Sequence, residues 1–380
     1  MMSITLKGMT WSHPRGYDPL VACSHIWQEK TGVNVIWEKR SLQDFETYPV
    51  DELARAFDLI VIDHPHVGQI TGEGCLAPLD VAGREAERLA LHAESVGGSY
   101  ESYEWDSHQW AFPIDAATQV QAVRPDLVAR PPSRWSDVLD LAAKGLVLLP
   151  LRPPHSLMTF YTLAANLGTP CRSNGKGTLI DAAAGARVVN LMRELVRHLD
   201  PVCFDLDPIA VLERMSAEGA SVACSPLIYG YVSYSIAGFR HYPLRFGNIP
   251  AAGNLGPVGS ALGGTGIAVS AFSGARAQAI DFAYWVASGD VQSGHYAAAG
   301  GQPGNARAWE EGTVNASTDD FYRGTRDTLE SSWIRPRHNG YMAFQQEGSD
   351  CINSGLLGGE PAEQIVASLN GLFVASFGAG

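Results

Sequence analysis

A layered α/β fold in two or three domains is predicted by three observations. Strand and helix patterns alternate through the first 60 residues, strand, helix, strand, helix, strand, as in sheets covered by helices. The third of those strands is an almost continuous apolar run, Phe57-Asp58-Leu59-Ile60-Val61-Ile62, which suits a parallel strand buried on both faces. The chain has 380 residues, 46% hydrophobic and 18% charged. At roughly 100–200 residues per domain that gives two or three sizeable cores, and such a composition excludes a disordered or fibrous chain.

In order, residues 4–11 read as the first strand, ended by the breaker-rich loop Ser12-His13-Pro14-Arg15-Gly16. Leu20, Val21, Cys23 and Ile26-Trp27 form a helical stripe over 18–30, stopped at Thr31-Gly32. Residues 33–37 are a second strand, 50–56 a helix and 57–62 the third strand. Asp63-His64-Pro65-His66 closes that strand, and a helix over 67–73 stops at Gly74. An aromatic stretch (Tyr100, Tyr103, Trp105, Trp110) leads into the run Ala111–Val123. A helix begins at Arg134 with Ser133 as its N-cap. Residues 146–151 read as a strand, 157–167 and 182–199 as helices, and 220–224 as a short buried strand. After the Gly-rich residues 253–266 come a strand over 266–270, a helix over 275–287, the turn Gly300-Gly301-Gln302-Pro303-Gly304-Asn305 and a last helix over 362–372. There is no internal repeat or low-complexity tract.

Lys and Arg number 27 against 40 Asp and Glu, a net charge of −13. Such a surface repels phosphate backbones and anionic headgroups, so no nucleic acid or membrane surface is expected as a partner. No run reaches the ~20 apolar residues of a membrane helix. The six cysteines (Cys23, Cys75, Cys171, Cys203, Cys224, Cys351) form no C-x-x-C pair, which removes zinc ribbons and thioredoxin-type motifs and suits small buried thiols. Met1-Met2-Ser3 passes straight into the first strand, without the positive and apolar regions of a secretory signal. Two localisations follow as expectations: exported, with a signal absent from this sequence, or cytoplasmic.

Four segments, in order, resemble the extracellular solute-binding proteins of ABC importers, the periplasmic-binding-protein-like group with sugar- and polyamine-binding members. They are Phe57-Asp58-Leu59-Ile60-Val61-Ile62-Asp63-His64-Pro65 with Gly74-Cys75-Leu76-Ala77-Pro78-Leu79-Asp80; Gln109-Trp110-Ala111-Phe112-Pro113 running on to Val123; Gly263-Gly264-Thr265-Gly266-Ile267-Ala268-Val269; and the 275–287 helix with Gln302-Pro303. The resemblance implies a two-lobed (type II) α/β fold with crossing strands as hinge and a ligand cleft between the lobes. Lobe 1 is then 3–116 plus 267–312, lobe 2 is 117–262 plus 313–380, and the hinge lies near 115–120 and 262–267. It further implies capture of a small polar ligand (sugar, polyol, amine or carboxylate) by hinge closure, which binding drives only through contacts better made in the closed form. An ABC permease is the implied partner of an exported, monomeric protein without cofactor. The alternative on the same scaffold is a cytoplasmic enzyme of lyase or cofactor-biosynthetic type, or a ligand sensor.

Ligands in open α/β sheets sit beyond the carboxyl ends of strands, which selects the first candidates. Trp11, Ser12 and His13 follow the first strand, as a stacking ring and hydrogen-bond donors or as core cap and turn. His64 and His66 follow the third, as ligand hydrogen bonders or as a capping loop; His-x-His about a rigid Pro is no standard metal spacing, so no metal is expected. Asp115 and Gln119 lie on the crossing strand, and His155 opens a helix of the second lobe. Tyr229 and Tyr231 suit carbohydrate or aromatic ligands and are equally packing material. Gly264 and Thr265 bring backbone near a ligand or serve as hinge; no Lys-Ser/Thr follows, so they are no P-loop. Gln302 and Trp333 complete the set. G-x-S-x-G, H-E-x-x-H and a strand-linked G-x-G-x-x-G are all absent, so no catalytic residue is selected.

Overall fold

The computed structural model describes residues 4–41 and 50–378. Residue 3 and residues 379–380, the outer ends of the two expected lobes, lie outside the described residues. The strands are β1 (Thr5–Trp11), β2 (Asn34–Arg40), β3 (Leu59–Ile62), β4 (Leu76–Ala77), β5 (Glu104–Trp105), β6 (His108–Gln109), β7 (Ala111–Val123), β8 (Cys224–Tyr229), β9 (Arg245–Gly247) and β10 (Leu262–Ser270). The chain divides into two compact units. Unit 1 takes the described residues of Met1–Ala117, Tyr231–Ser233 and Gly263–Ser317; unit 2 takes Thr118–Gly230, Tyr234–Leu262 and Thr318–Gly380. β7 and β10 therefore each run from one unit into the other, and Tyr231–Ser233 is a short strap that leaves unit 2 and returns to it.

In unit 1, β1 pairs in parallel with β2 from Thr5↔Asn34 to Trp11↔Arg40, and with β3 at Gly8↔Leu59 and Met9↔Ile60. β10 pairs antiparallel with β3, Gly266↔Ile62 through Val269↔Leu59, and with the short β4. The helix Pro14–Thr31 returns the chain from β1 to β2, stopping at Gly32 in the left-handed conformation. Its buried face sets Leu20, Cys23 and Trp27 into a core with Leu6, Ile60, Ile267 and Phe282. Each such fully buried aliphatic or aromatic side chain contributes roughly 1.5–3 kcal/mol.

In unit 2, β7 pairs antiparallel with β8 (Gln119↔Tyr229, Val123↔Cys224) and with β9. Four helices of this unit pack on one another: His155–Asn166, Ala182–Val196, Tyr341–Gly358 and Ala362–Ala375. His155–Asn166 is buried along its whole length, consistent with its run of Leu, Met, Phe, Tyr and Ala. The strand expected at 146–151 reduces to one bridge, Val147↔Cys224, since Pro150 has no N–H to continue a ladder. The short strand expected at 220–224 begins only at Cys224 and runs on to Tyr229. The cap expected from Ser133 comes instead from Asp137, whose carboxylate accepts from the Ser133 and Arg134 N–H groups at 3.1 and 3.0 Å.

All six cysteines are free thiols, five buried and Cys351 half-buried. Burial pushes the Cys23 and Cys75 thiols up to about 12. Among the described residues no helix is long and apolar enough to cross a membrane.

Candidate functional site

The polar residues of unit 1 converge where β1 ends. His13 is the N-cap of the helix Pro14–Thr31, and its Nδ1 accepts from the Arg15 N–H at 3.1 Å. A neutral imidazole that accepts at Nδ1 carries its proton on Nε2, so the cap fixes the tautomer. Gly16 follows because a Cβ there would stand 2.3 Å from the Trp11 indole. Trp11 itself is 2% exposed and joins the core, while Ser12 is exposed and His13 half-buried.

Arg15 is buried and faces Asp115 at the middle of β7. Its Nε donates to Oδ2 at 2.7 Å and its Nη2 to Oδ1 at 2.5 Å, a two-pronged fork. Burial works against the guanidinium charge, and Asp115 beside it more than restores it, leaving its pKa above the ordinary value. Burial holds the Asp115 carboxyl above its ordinary value, and Arg15 pulls it only part of the way back. Both carboxyl oxygens accept from the guanidinium, as the ionised form does, so the pair is ionised with its charge cancelled. Tyr231 lies over this pair, with the Arg15 Cζ 4.3 Å from its ring centre, and the His13 ring meets it edge-on at 4.8 Å.

The strap carrying Tyr231 is tied down at Gln302. The Gln302 Oε1 accepts from the Val232 N–H at 2.9 Å, and its Nε2 donates to the Ala116 carbonyl at 2.8 Å. Gly264 passes β7 at φ +93°. The Tyr103 hydroxyl donates to the Ile62 carbonyl at 3.1 Å, and its ring meets that of His64 at 6.2 Å. His64 and His66 form one 3-10 turn capped by Asp63, and both are buried. The Thr265 side chain is also buried.

Unit 2 gathers its candidates around β7 and the helix His155–Asn166. Gln119 is fully buried and spans that helix: its Nε2 donates to Thr159 at 3.3 Å, and Thr162 donates to its Oε1 at 2.6 Å. His155 is 4% exposed, and its Nδ1 has no hydrogen-bond partner. Burial, aided by the positive charges of Arg152 and Arg335, pushes its pKa down to about 3. Tyr229, half-buried at the end of β8, meets the His155 ring edge-on at 6.2 Å. Trp333 is half-buried and packs on Tyr161 at 4.7 Å, its backbone donating to the Ser260 carbonyl at 2.7 Å. Arg335 donates from Nε to the Leu262 carbonyl at 3.0 Å and from Nη1 to Gln345 at 2.9 Å.

The structure thus joins His13, Tyr231 and Asp115 through Arg15, and His155 with Tyr229. Arg15, Tyr103 and Thr162 lie outside the candidates that the sequence offers. Arg15 stands in the loop that supplied His13, but its partner lies 100 residues away. Among the described residues no three His, Cys, Asp or Glu side chains form a group able to hold a metal ion.

A family model described as bacterial extracellular solute-binding protein matches residues 27–319. No curated protein matches the chain. Solved structures match it over nearly its whole length. An ABC transporter solute-binding protein from Agrobacterium radiobacter K84, in complex with ribitol, aligns with TM-score 0.78 at 18% identity, covering 98% of each chain. Maltose-bound MalE3 of T. maritima aligns with TM-score 0.82 at 14% identity, covering 97% of this chain and 98% of that one. An ABC transporter solute-binding protein from Thermotoga lettingae TMO, bound with α-D-tagatose, aligns with TM-score 0.82 at 15% identity, covering 98% and 100%. At these identities the likeness is one of fold, the two-lobed α/β fold of solute-binding proteins.

Proposed function

The chain belongs to the bacterial extracellular solute-binding proteins, and on that premise we propose that it captures a sugar or polyol and delivers it to an ABC permease from outside the cytoplasmic membrane. The observation that carries the ligand class is the pairing, in each unit, of an aromatic ring with an imidazole: Tyr231 with His13 in unit 1 and Tyr229 with His155 in unit 2. Such pairs offer a flat apolar face beside hydrogen-bonding nitrogen, which suits a ring or chain bearing hydroxyls. The ligands named for the three structures above, ribitol, maltose and α-D-tagatose, support the same class.

Ser12, His13 and Tyr231 are the contacts proposed for unit 1, and His155, Tyr229 and Trp333 those for unit 2. Trp11, Asp115, Gln119, Gly264 and Gln302 are proposed as the frame that holds them, since their polar groups or packing are engaged within the fold. A thermal-shift screen with ribitol, D-tagatose and maltose tests the reading. A hit raises the melting temperature in proportion to occupancy, mass spectrometry recovers the solute unchanged, and the radius of gyration falls as the protein closes on it. Conversion of the solute, or no response to any sugar or polyol, refutes it.

A further inference from the structure

Arg15 and Asp115 are both buried, joined by a two-pronged fork, and placed under a tyrosine that belongs to a three-residue strap. A core Arg–carboxylate pair is seldom an efficient stabiliser, because desolvation offsets most of the attraction. It does fix geometry, because the planar guanidinium accepts one carboxylate orientation and one stacking plane. Here the carboxylate is anchored in β7, and Gln302 ties the next residue of the strap, Val232, to the neighbouring Ala116. The ring of Tyr231 is thereby held at two adjacent points, by stacking at 231 and by a hydrogen bond at 232.

We infer that Arg15 and Asp115 are positioning residues forming a charge-cancelled clamp: they seat the strap and aim Tyr231 while offering the solute no net charge, so that the protein takes neutral polyhydroxyl solutes and rejects the corresponding sugar acids. This deepens the sugar or polyol reading and rests on it for the selectivity part alone. An arginine meant to receive an anionic ligand keeps its fork open to it. In Arg15 the Nε and Nη2 donors are engaged by Asp115, and one face of the guanidinium lies against the Tyr231 ring.

Two measurements separate the clamp from the ligand reading. The first is hydrogen exchange of the unliganded protein. The double variant R15Q/D115N removes both charges together, whereas either single change leaves a buried charge alone and endangers folding. Exchange in the peptide spanning 229–235 is expected to quicken about tenfold or more through local opening, with 155–166 unchanged; Q302A, which removes the acceptor of the Val232 N–H, calibrates the full effect. Equal exchange in wild type and double variant overturns the clamp.

The second is the ratio of affinities for D-glucose and D-glucuronate, and for ribitol and D-ribonate. The wild type is expected to favour the neutral member of whichever pair it binds by about a hundredfold, and the double variant, which also presents no net charge, to keep that preference within about threefold, whereas D115N, which leaves the Arg15 charge uncancelled, loses at least about tenfold of it. A wild type that prefers the acid, or a double variant whose ratio shifts tenfold or more, overturns the selectivity. A wild type that takes none of the four probes and none of the screened sugars refutes the proposed function, leaving the exchange measurement to decide the clamp.

Discussion

Gly264 runs so close beneath β7 that a Cβ placed on it would stand 2.3 Å from the carbonyl oxygen of Asp115. Its φ of +93° is a second obstacle to any side chain. The opposing atom is backbone in a fully buried strand and cannot swing aside. Gly264→Ala is therefore expected to destabilise the protein by about 2–4 kcal/mol, from left-handed strain plus overpacking. Gly274→Ala, at a site with open space around it, stays within about 0.5 kcal/mol of wild type. Urea unfolding of both variants checks this, and equal midpoints would refute the close crossing.

His13 both caps a helix and stands among the proposed solute contacts. His13→Ala loses the cap, at about 0.5–2 kcal/mol, whereas asparagine is itself a good N-cap. His13→Asn is expected to keep the melting temperature while binding of a screened sugar weakens about tenfold, the loss of one contact well placed in the site. Calorimetric titration beside a melting curve tells the roles apart; unchanged affinity in the asparagine variant would leave His13 as a cap alone.

The buried bonds around Thr162 form one network. Its hydroxyl donates to Gln119 and accepts from the Ala261 N–H at 3.0 Å. Thr162→Val strands both partners and is expected to cost about 2–4 kcal/mol, since each unsatisfied buried group costs about 1–3. Gln119→Leu in the same chain removes one stranded group and recovers part of the loss. Additive losses in the double variant would mean that the two side chains do not share a bond.

His155 predicts an acid-sensitive fold. Its pKa falls from an ordinary 6.5 to about 3 on folding, so between those values the unfolded chain binds a proton that the folded one refuses. The stability is fully present above pH 6.5 and is lost progressively as pH drops toward 3, on the order of a few kcal/mol in all. The wild-type melting temperature should fall more steeply than that of His155→Gln through this window. Parallel curves would mean that the imidazole is already solvated in the fold.

Much of the architecture was legible because it is local. The β1–helix–β2 pattern, the apolar β3 and the stop at Gly32 follow from periodicity and turn chemistry within short windows. The apolar run at 146–151 satisfies burial as well as pairing, and Pro150 decides which. The site was legible only in its loops. His13 announces itself at a strand end and Tyr231 in an aromatic patch, but what relates them is Arg15, whose fork to Asp115 spans 100 residues. No spacing rule encodes that, since ion pairing depends on which strands become neighbours. Gln302 is marked in the sequence by its turn, and its bonds to Val232 and Ala116 form only where three distant stretches of chain meet.

The six thiols have a practical consequence. With their pKa values raised by burial, they hold almost no thiolate at neutral pH and are poor targets for alkylating dyes. A cysteine installed at the exposed Ser12 would then be the fastest-reacting nucleophile on the chain, so a maleimide fluorophore could be attached there without first stripping the native sulfurs. Placed one residue from His13, such a dye would turn the molecule into an optical reporter for whatever it carries.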